Sequence, residues 1–359
     1  MNLLFVIASF AVTILAWGIY GPVLHWGQHG MSTVGGMASL RPFICVGLAY
    51  FGIGVAVPAV LLKLRGEAGE WTITGVLFSL AGGALGAIGA LGIILAFYLG
   101  GKPVYVMPLV FGGAPVVNAF LTIYLAGKMK EIGPIFIAGM IMVLLGATTV
   151  LVAKPNPPIV EKPAPPAESV EPAQAEEVAP DESHTFRDWV LRVAAVALVI
   201  CCWGAYGPVL HIGQAAMHHS RLRPLICVGL AYFAIAVIVG NLWLAATGEA
   251  SRYNFLGTMW SLAGGAAGAI GALGIIMAFN FGGKPVYVMP LVFGGAPVVN
   301  TLFTIAAGGL WDKINALFVA GLMLVIAGAA IVLVFAPRGG PPPKERVVPI
   351  EPVLDSPPE

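Results

Sequence analysis

The sequence predicts an all-α membrane protein of ten transmembrane helices, arranged as five plus five in an inverted repeat. Three observations carry this. The chain is 58% hydrophobic and 10% charged, whereas a soluble domain carries roughly 25% charged residues. Its apolar runs repeatedly exceed the roughly 18 residues that cross a bilayer core. Residues 100–118, GGKPVYVMPLVFGGAPVVN, return unchanged as 282–300, the kind of internal duplication that membrane carriers built from two halves show.

The elements follow in order. Spans are expected at 3–24, 42–62, 71–99, 103–126 and 134–153, punctuated by Gly, Pro and charge clusters. The second half repeats them at 189–210, 224–244, 255–281, 285–307 and 317–336. WGIYGPVLHWGQ at 17–28 answers to WGAYGPVLHIGQ at 203–214, and SLAGGALGAIGALGII at 79–94 to SLAGGAAGAIGALGII at 261–276. Only the first extramembrane loop differs in length, by four residues. The domain plan is therefore a repeat at 1–153, a Pro/Ala/Glu-rich linker at 154–187, a second repeat at 188–336 and a Pro-rich tail at 337–359. The linker and tail lack the apolar content to fold, so both are expected to be flexible. The chain opens on an apolar run without a basic n-region or cleavage site, so the first span is expected to be a retained helix.

An odd number of helices per half makes the second half enter the membrane from the opposite side. Lys63, Arg65, Lys128, Lys130, Arg221, Arg223 and Lys284 then share the side of both termini, against Arg41, Lys102, Arg252 and Lys313 on the other. The basic excess places the termini in the cytoplasm and the linker opposite, in a multi-pass protein of the cell (inner, cytoplasmic) membrane.

The helix count, the duplication, the Gly-rich third helix and the Pro-interrupted fourth helix resemble the drug/metabolite transporter superfamily. The likeness extends to its EamA-like and glucose-uptake-like ten-helix members, with Gly139 and Gly146 in the fifth helix. Where many EamA-type proteins place a Gly-Glu pair after the fourth helix, this chain has Gly127-Lys128 and Gly309-Leu310. The resemblance implies solute translocation by alternating access, with a central cavity between the halves.

The fourth helix is the richest in candidates. Pro108 and Pro115 free the carbonyls of Val104 and Phe111, and unpaired backbone at membrane depth needs protein or a water-filled cavity. Val104, Pro108, Phe111, Pro115 and Asn118 fall on one stripe, with Gly112 and Gly113 at mid-span. Val286, Pro290, Phe293, Pro297 and Asn300, with Gly294 and Gly295, repeat it. A cavity wall with helix breaks or gates at these Pro and Gly residues is expected. Asn118 and Asn300 either contact solute or bond between helices. Tyr105 and Tyr287 offer a ring and a hydroxyl to solute, or anchor the helix at the interface. Trp17 and Trp203 either line the cavity or fill core.

Lys102 and Lys284 stand just before this helix, as cavity-mouth cations or as snorkelling side chains. His25 and His211, at the expected exits of the first and sixth helices, are the candidates for pH sensitivity. The glycine rows at 82–92 and 264–274 are expected to be packing surfaces. Cys45, Cys201, Cys202 and Cys227 form no zinc or redox spacing, and Cys45 and Cys227 fit the role of small hydrophobes.

No Asp or Glu falls inside the ten spans, which points away from carboxylate-based proton or sodium coupling. No nucleophile–base set, metal cluster or cofactor motif occurs, so no enzyme, metal or cofactor is expected. A net charge of +1 offers nothing to nucleic acid. The expected partners are the lipid bilayer, a small-molecule solute and, as an open option, a second copy of the chain. The function expected is secondary transport of a small, uncharged, sugar-like metabolite. Transport of amphiphilic or lipid-like solutes and a non-transporting scaffold are the alternatives.

Overall fold

Apolar side chains on every face of a helix leave water no place beside it, and the computed structural model shows the consequence. The chain is all-helical among the described residues, which are 3–33, 37–125, 127, 129–153, 186–249, 251–281 and 285–335. The linker, apart from Phe186 and Arg187, and the tail lie outside them. The helices are α1 (Leu3–Met31), α2 (Leu40–Phe51), α3 (Val57–Arg65), α4 (Ile73–Tyr98), α5 (Pro103–Leu125), α6 (Pro134–Val152), α7 (Phe186–Ala216), α8 (Leu222–Tyr232), α9 (Gly240–Thr247), α10 (Phe255–Asn280), α11 (Pro285–Gly308) and α12 (Ala316–Phe335).

Among the described residues, eight helical stretches are long and apolar enough to cross a membrane, while Pro134–Val150 and Ala316–Val332 are shorter apolar helices. Leu4, Leu64, Ile73, Leu144, Phe186, Leu242 and Phe255 stand exposed on the outside, as expected of side chains that face lipid rather than water.

Three local features differ from the sequence expectation. First, α1 and α7 run past 24 and 210 to Met31 and Ala216, so His25, Gln28 and His211 lie inside helices and not at their exits. Gln28 holds the extension in place, with its buried Nε2 donating to the carbonyls of Ala38 (2.9 Å) and Ile94 (3.1 Å). Second, α2 passes into α3 through a π-helical segment, Gly52–Ala56, and α8 into α9 through another, Phe233–Val239. Such wide turns leave backbone groups imperfectly paired and concentrate at functional sites. Third, α5 is one continuous helix with Pro108 and Pro115 inside it. These prolines do not break the helix, because the turns on either side of each still supply hydrogen bonds.

Glycine brings the halves together. The missing side chain of Gly83 admits Val228, and that of Gly265 admits Val46. Gly27 abuts Ser261, and Gly213 abuts Ser79. α1 therefore packs on α10, α4 on α7, and α6 on α12. Several contacts between the first and second halves of the sequence recur with the roles exchanged, such as Gly83 with Val228 and Gly265 with Val46, or Gly27 with Ser261 and Gly213 with Ser79. Thr72 and Asn254 cap α4 and α10 by accepting from the amides of Gly75 (3.0 Å) and Gly257 (2.7 Å).

Candidate functional site

Where α1, α2, α4 and α5 meet α7, α8, α10 and α11, the large rings cannot close-pack and a chamber remains. It holds about 560 Å³ of space between atoms, counting parts open to their surroundings. The first half lines it with Trp17, Tyr20, Tyr50, Gly86 and Phe111. The second lines it with Trp203, Tyr206, Tyr232, Gly268 and Phe293, each at the equivalent repeat position.

The rings hold one another. Tyr50 and Tyr232 stack in parallel with centroids 3.6 Å apart and planes 3° apart. They stand beside the two π-helical segments. Tyr20 meets Trp203 edge-on at 5.9 Å, and Phe111 lies 6.2 Å from Trp203 and 6.4 Å from Phe293. The indole N–H of Trp17 donates to Gly268 O (3.2 Å) and that of Trp203 to Gly86 O (3.3 Å). Gly89 and Gly271 make this possible, since a Cβ there would fall about 2.2 Å and 2.1 Å from the indole rings of Trp203 and Trp17. The hydroxyls of Tyr20 and Tyr206, in contrast, are buried without a partner in the protein.

Two carboxylates tie the ends of the helices that carry the tyrosine stack. Glu67, just after α3, accepts from the amides of Arg221 (2.8 Å) and Leu222 (3.1 Å), from Ser220 Oγ (2.6 Å) and from Arg221 Nε (2.9 Å). It thereby caps the N-terminus of α8. Glu249, just after α9, accepts from the amides of Ser39 (2.8 Å) and Leu40 (2.7 Å), capping α2. Arg223 reaches the Glu67 backbone carbonyl (3.4 Å) and Arg41 that of Glu249 (3.0 Å). Their guanidinium groups lie over the rings of Trp71 and Tyr253. Burial alone would raise the pKa of Glu67, but hydrogen bonds from Ser220, Arg221 and Leu222 outweigh it and hold the carboxyl below its ordinary value.

Of the residues predicted from sequence, Trp17, Trp203, Phe111 and Phe293 meet in the chamber. Asn118 and Asn300 are buried elsewhere. Their Nδ2 groups donate to Gly204 O (3.2 Å) and Gly18 O (3.0 Å), tying α5 to α7 and α11 to α1. Asn118→Ala should therefore cost only about 0.6 kcal/mol, the average for an interhelical hydrogen bond in a membrane protein. A thermal-unfolding comparison in detergent checks this, with ligand binding in the chamber expected to be unchanged.

Gly112 packs on Val325 and Gly113 on Ile200, and in the second half Gly295 packs on Ile14 while Gly294 only approaches Ile326. Pro108, Pro115 and Pro297 are buried beside them. Tyr105 sits at the start of α5, donating to Gly100 O (3.1 Å) and hydrogen-bonded to Arg192. Lys102 is exposed at that end. His25 faces His29, with ring nitrogens 3.1 Å apart, and the edge of Phe97; His211 lies near Phe279. Neither lines the chamber. Lys284 and the side chains of Tyr287 and Pro290 lie outside the described residues.

Sequence reasoning missed Tyr20, Tyr206, Tyr50, Tyr232, Glu67 and Glu249. A signal was present for each. Tyr20 and Tyr206 sit three residues after the tryptophans in the repeated WG-x-YGPVLH. Tyr50 and Tyr232 are the fourth residue of the repeated GLAYF, and Glu67 and Glu249 lie in a repeated GEA.

No protein-family model and no curated protein matches this sequence. Among solved structures, the crystal structure of one protein superposes with a TM-score of 0.56 at 17% identity, covering 92% of this chain and 96% of its own. At that identity the likeness shows the fold alone: this chain folds, over nearly its whole length, similarly to that solved protein.

Proposed function

We propose that this chain is a ten-helix secondary transporter that carries a small uncharged solute across the membrane by alternating access, with the aromatic chamber as its solute site. The observation that carries the reading is the pairing of the chamber wall: five residues from each half, all at equivalent repeat positions, enclose one space. A site built at the junction of two inverted five-helix repeats is the arrangement carriers use.

The latches support the same reading. Glu67 ties the end of α3 to the start of α8, and Glu249 ties the end of α9 to the start of α2. In a five-plus-five inverted arrangement these lie at opposite membrane faces, so opening one while keeping the other gives access from one side at a time. The charge partition expected from sequence agrees with them: Arg221 and Arg223 meet the loop after Lys63 and Arg65, and Arg41 meets the loop that bears Arg252. These contacts support the reading in which both termini share the Arg221 side, the cytoplasm under the basic-excess rule. The chamber wall has no carboxylate to bind a coupling ion, which favours facilitated diffusion or exchange.

The test uses the purified full-length protein in proteoliposomes loaded with a panel of neutral metabolites. At least one is expected to leave faster than from protein-free vesicles. Phe111→Trp, which adds bulk to the chamber wall, should slow that release about ten-fold, the effect of an overpacking penalty of about 1–3 kcal/mol on solute binding. Release equal to protein-free vesicles across the whole panel would remove the carrier reading.

A further inference from the structure

The end of α1 carries a pair of imidazoles that the chamber does not use. His25 and His29 are four residues apart and share one face of the helix. Their Nε2 atoms are 3.1 Å apart, with ring centroids 4.4 Å apart and planes at 85°. A linear N–H···N hydrogen bond along the two ring axes would put the centroids about 5.4 Å apart. The rings therefore stand side by side with their nitrogens together, not head to head.

The pair is an addition to the duplicated pattern. His25 repeats as His211, and each stands edge-on to a phenylalanine, Phe97 or Phe279. The residue that answers to His29 is Ala215. The second half thus builds the same helix end with one imidazole, so packing does not require the other.

Two imidazole nitrogens this close can share one metal ion. With bonds of about 2.0–2.1 Å, an ion equidistant from nitrogens 3.1 Å apart would subtend an N–metal–N angle of roughly 95–100°. That is near the right angle between neighbouring ligands in tetragonal Cu²⁺ or Ni²⁺ sites, which imidazole suits. His29 is exposed, so a hydrated ion has a way in. Among the described residues no set of three or more His, Cys, Asp or Glu could hold a metal, so water must fill the other positions. Two features keep the affinity modest. Lys102 lies within electrostatic reach of His25 and repels a cation. Nδ1 of His25 is buried without a partner, so that ring lacks the outer hydrogen bond that strengthens a metal ligand.

We propose that His25 and His29 form a binding site for a divalent transition-metal ion, Cu²⁺ ahead of Ni²⁺ by the usual order of affinities. The site stands whether or not the protein is a carrier.

The test titrates the full-length protein, free of any polyhistidine tag, with Cu²⁺ in lipid nanodiscs. Calorimetry reads the affinity, and electron paramagnetic resonance reads the nitrogens bound to copper. The wild type is expected to bind one ion through two imidazole nitrogens. His29→Ala, which installs the second half's own residue, should bind about ten-fold more weakly or worse and show at most one nitrogen from this pair. His25→Gln should do the same, and decides if His29→Ala fails to fold. His211→Ala and His219→Ala should match the wild type, and Mg²⁺ should give no heat. Copper bound as tightly after His29→Ala and His25→Gln, or lost only after His219→Ala, overturns the proposal. So does a copper signal without two imidazole nitrogens, which means an adventitious ion only.

Discussion

Glu67→Ala is expected to lower the unfolding free energy of the purified protein by about 2–3 kcal/mol, the range for lost hydrogen bonds to a charged group combined with loss of a helix cap. The side chain of Glu67 is 3% exposed, so little water replaces what is removed. The amides of Arg221 and Leu222 would be stranded at the start of α8. Glu67→Gln should cost less, about 1–2 kcal/mol, because an amide oxygen still accepts but without charge. The two variants also separate by pH. The hydrogen bonds hold the folded-state pKa of Glu67 below its ordinary value of 4.5. Its stabilisation is therefore complete above that value and is lost as pH falls through the lower folded-state pKa. Melting temperatures of wild type and Glu67→Gln should differ at pH 7 and converge as the buffer is taken below pH 4.5. A gap that stays constant would mean that the carboxylate charge contributes nothing to the cap. Glu249→Ala, which uncaps α2 in the same way, should match Glu67→Ala in size at pH 7.

Gly83→Ala and Gly265→Ala should each cost about 1–3 kcal/mol, the usual penalty for added volume in a packed core. A Cβ at Gly83 would lie 2.7 Å from Val228 Cα, and one at Gly265 would lie 2.7 Å from Val46 Cα. Both neighbours are backbone, so no side chain can rotate away and α4 must separate from α8, or α10 from α2. Gly52→Ala is the control. It is helical, with φ −58°, and nothing lies within 4 Å of its added methyl. That change should be neutral or stabilise by about 0.4–1 kcal/mol through the unfolded chain. If all three variants melt alike, the glycine rows are not what sets the approach of the helices.

These two predictions also show how much was legible beforehand. The glycine rows were readable as packing surfaces because a residue without a side chain has one main use between apolar helices. Phe111 and Phe293 stand out in the sequence on the fourth-helix stripes of both halves, whereas Trp17 and Trp203 fit cavity or core equally until the structure sets all four around the chamber. Asn118 and Asn300 drew the eye as amides in an apolar stretch, yet a buried amide is satisfied by any carbonyl within reach, and Gly204 and Gly18 supply one. Tyr20, Tyr50, Tyr206 and Tyr232 went unremarked because ring residues in apolar helices usually only fill space. Glu67 and Glu249 lie in loops, outside the segments where a charge stands out.

By itself the sequence determined that the chain is helical and apolar enough for a membrane, and that its two halves are copies of one pattern. Composition and periodicity act through local physics, the length of an apolar helix and the spacing of residues along it, so they are visible in one dimension. Which helices meet was decided by the tertiary structure, because contacts such as Trp17 with Gly268 or Glu67 with Leu222 join residues more than 150 positions apart. The same is true of the chamber. Its wall exists only in the packed arrangement, which sets rings from both halves around one space and ties down both tryptophans.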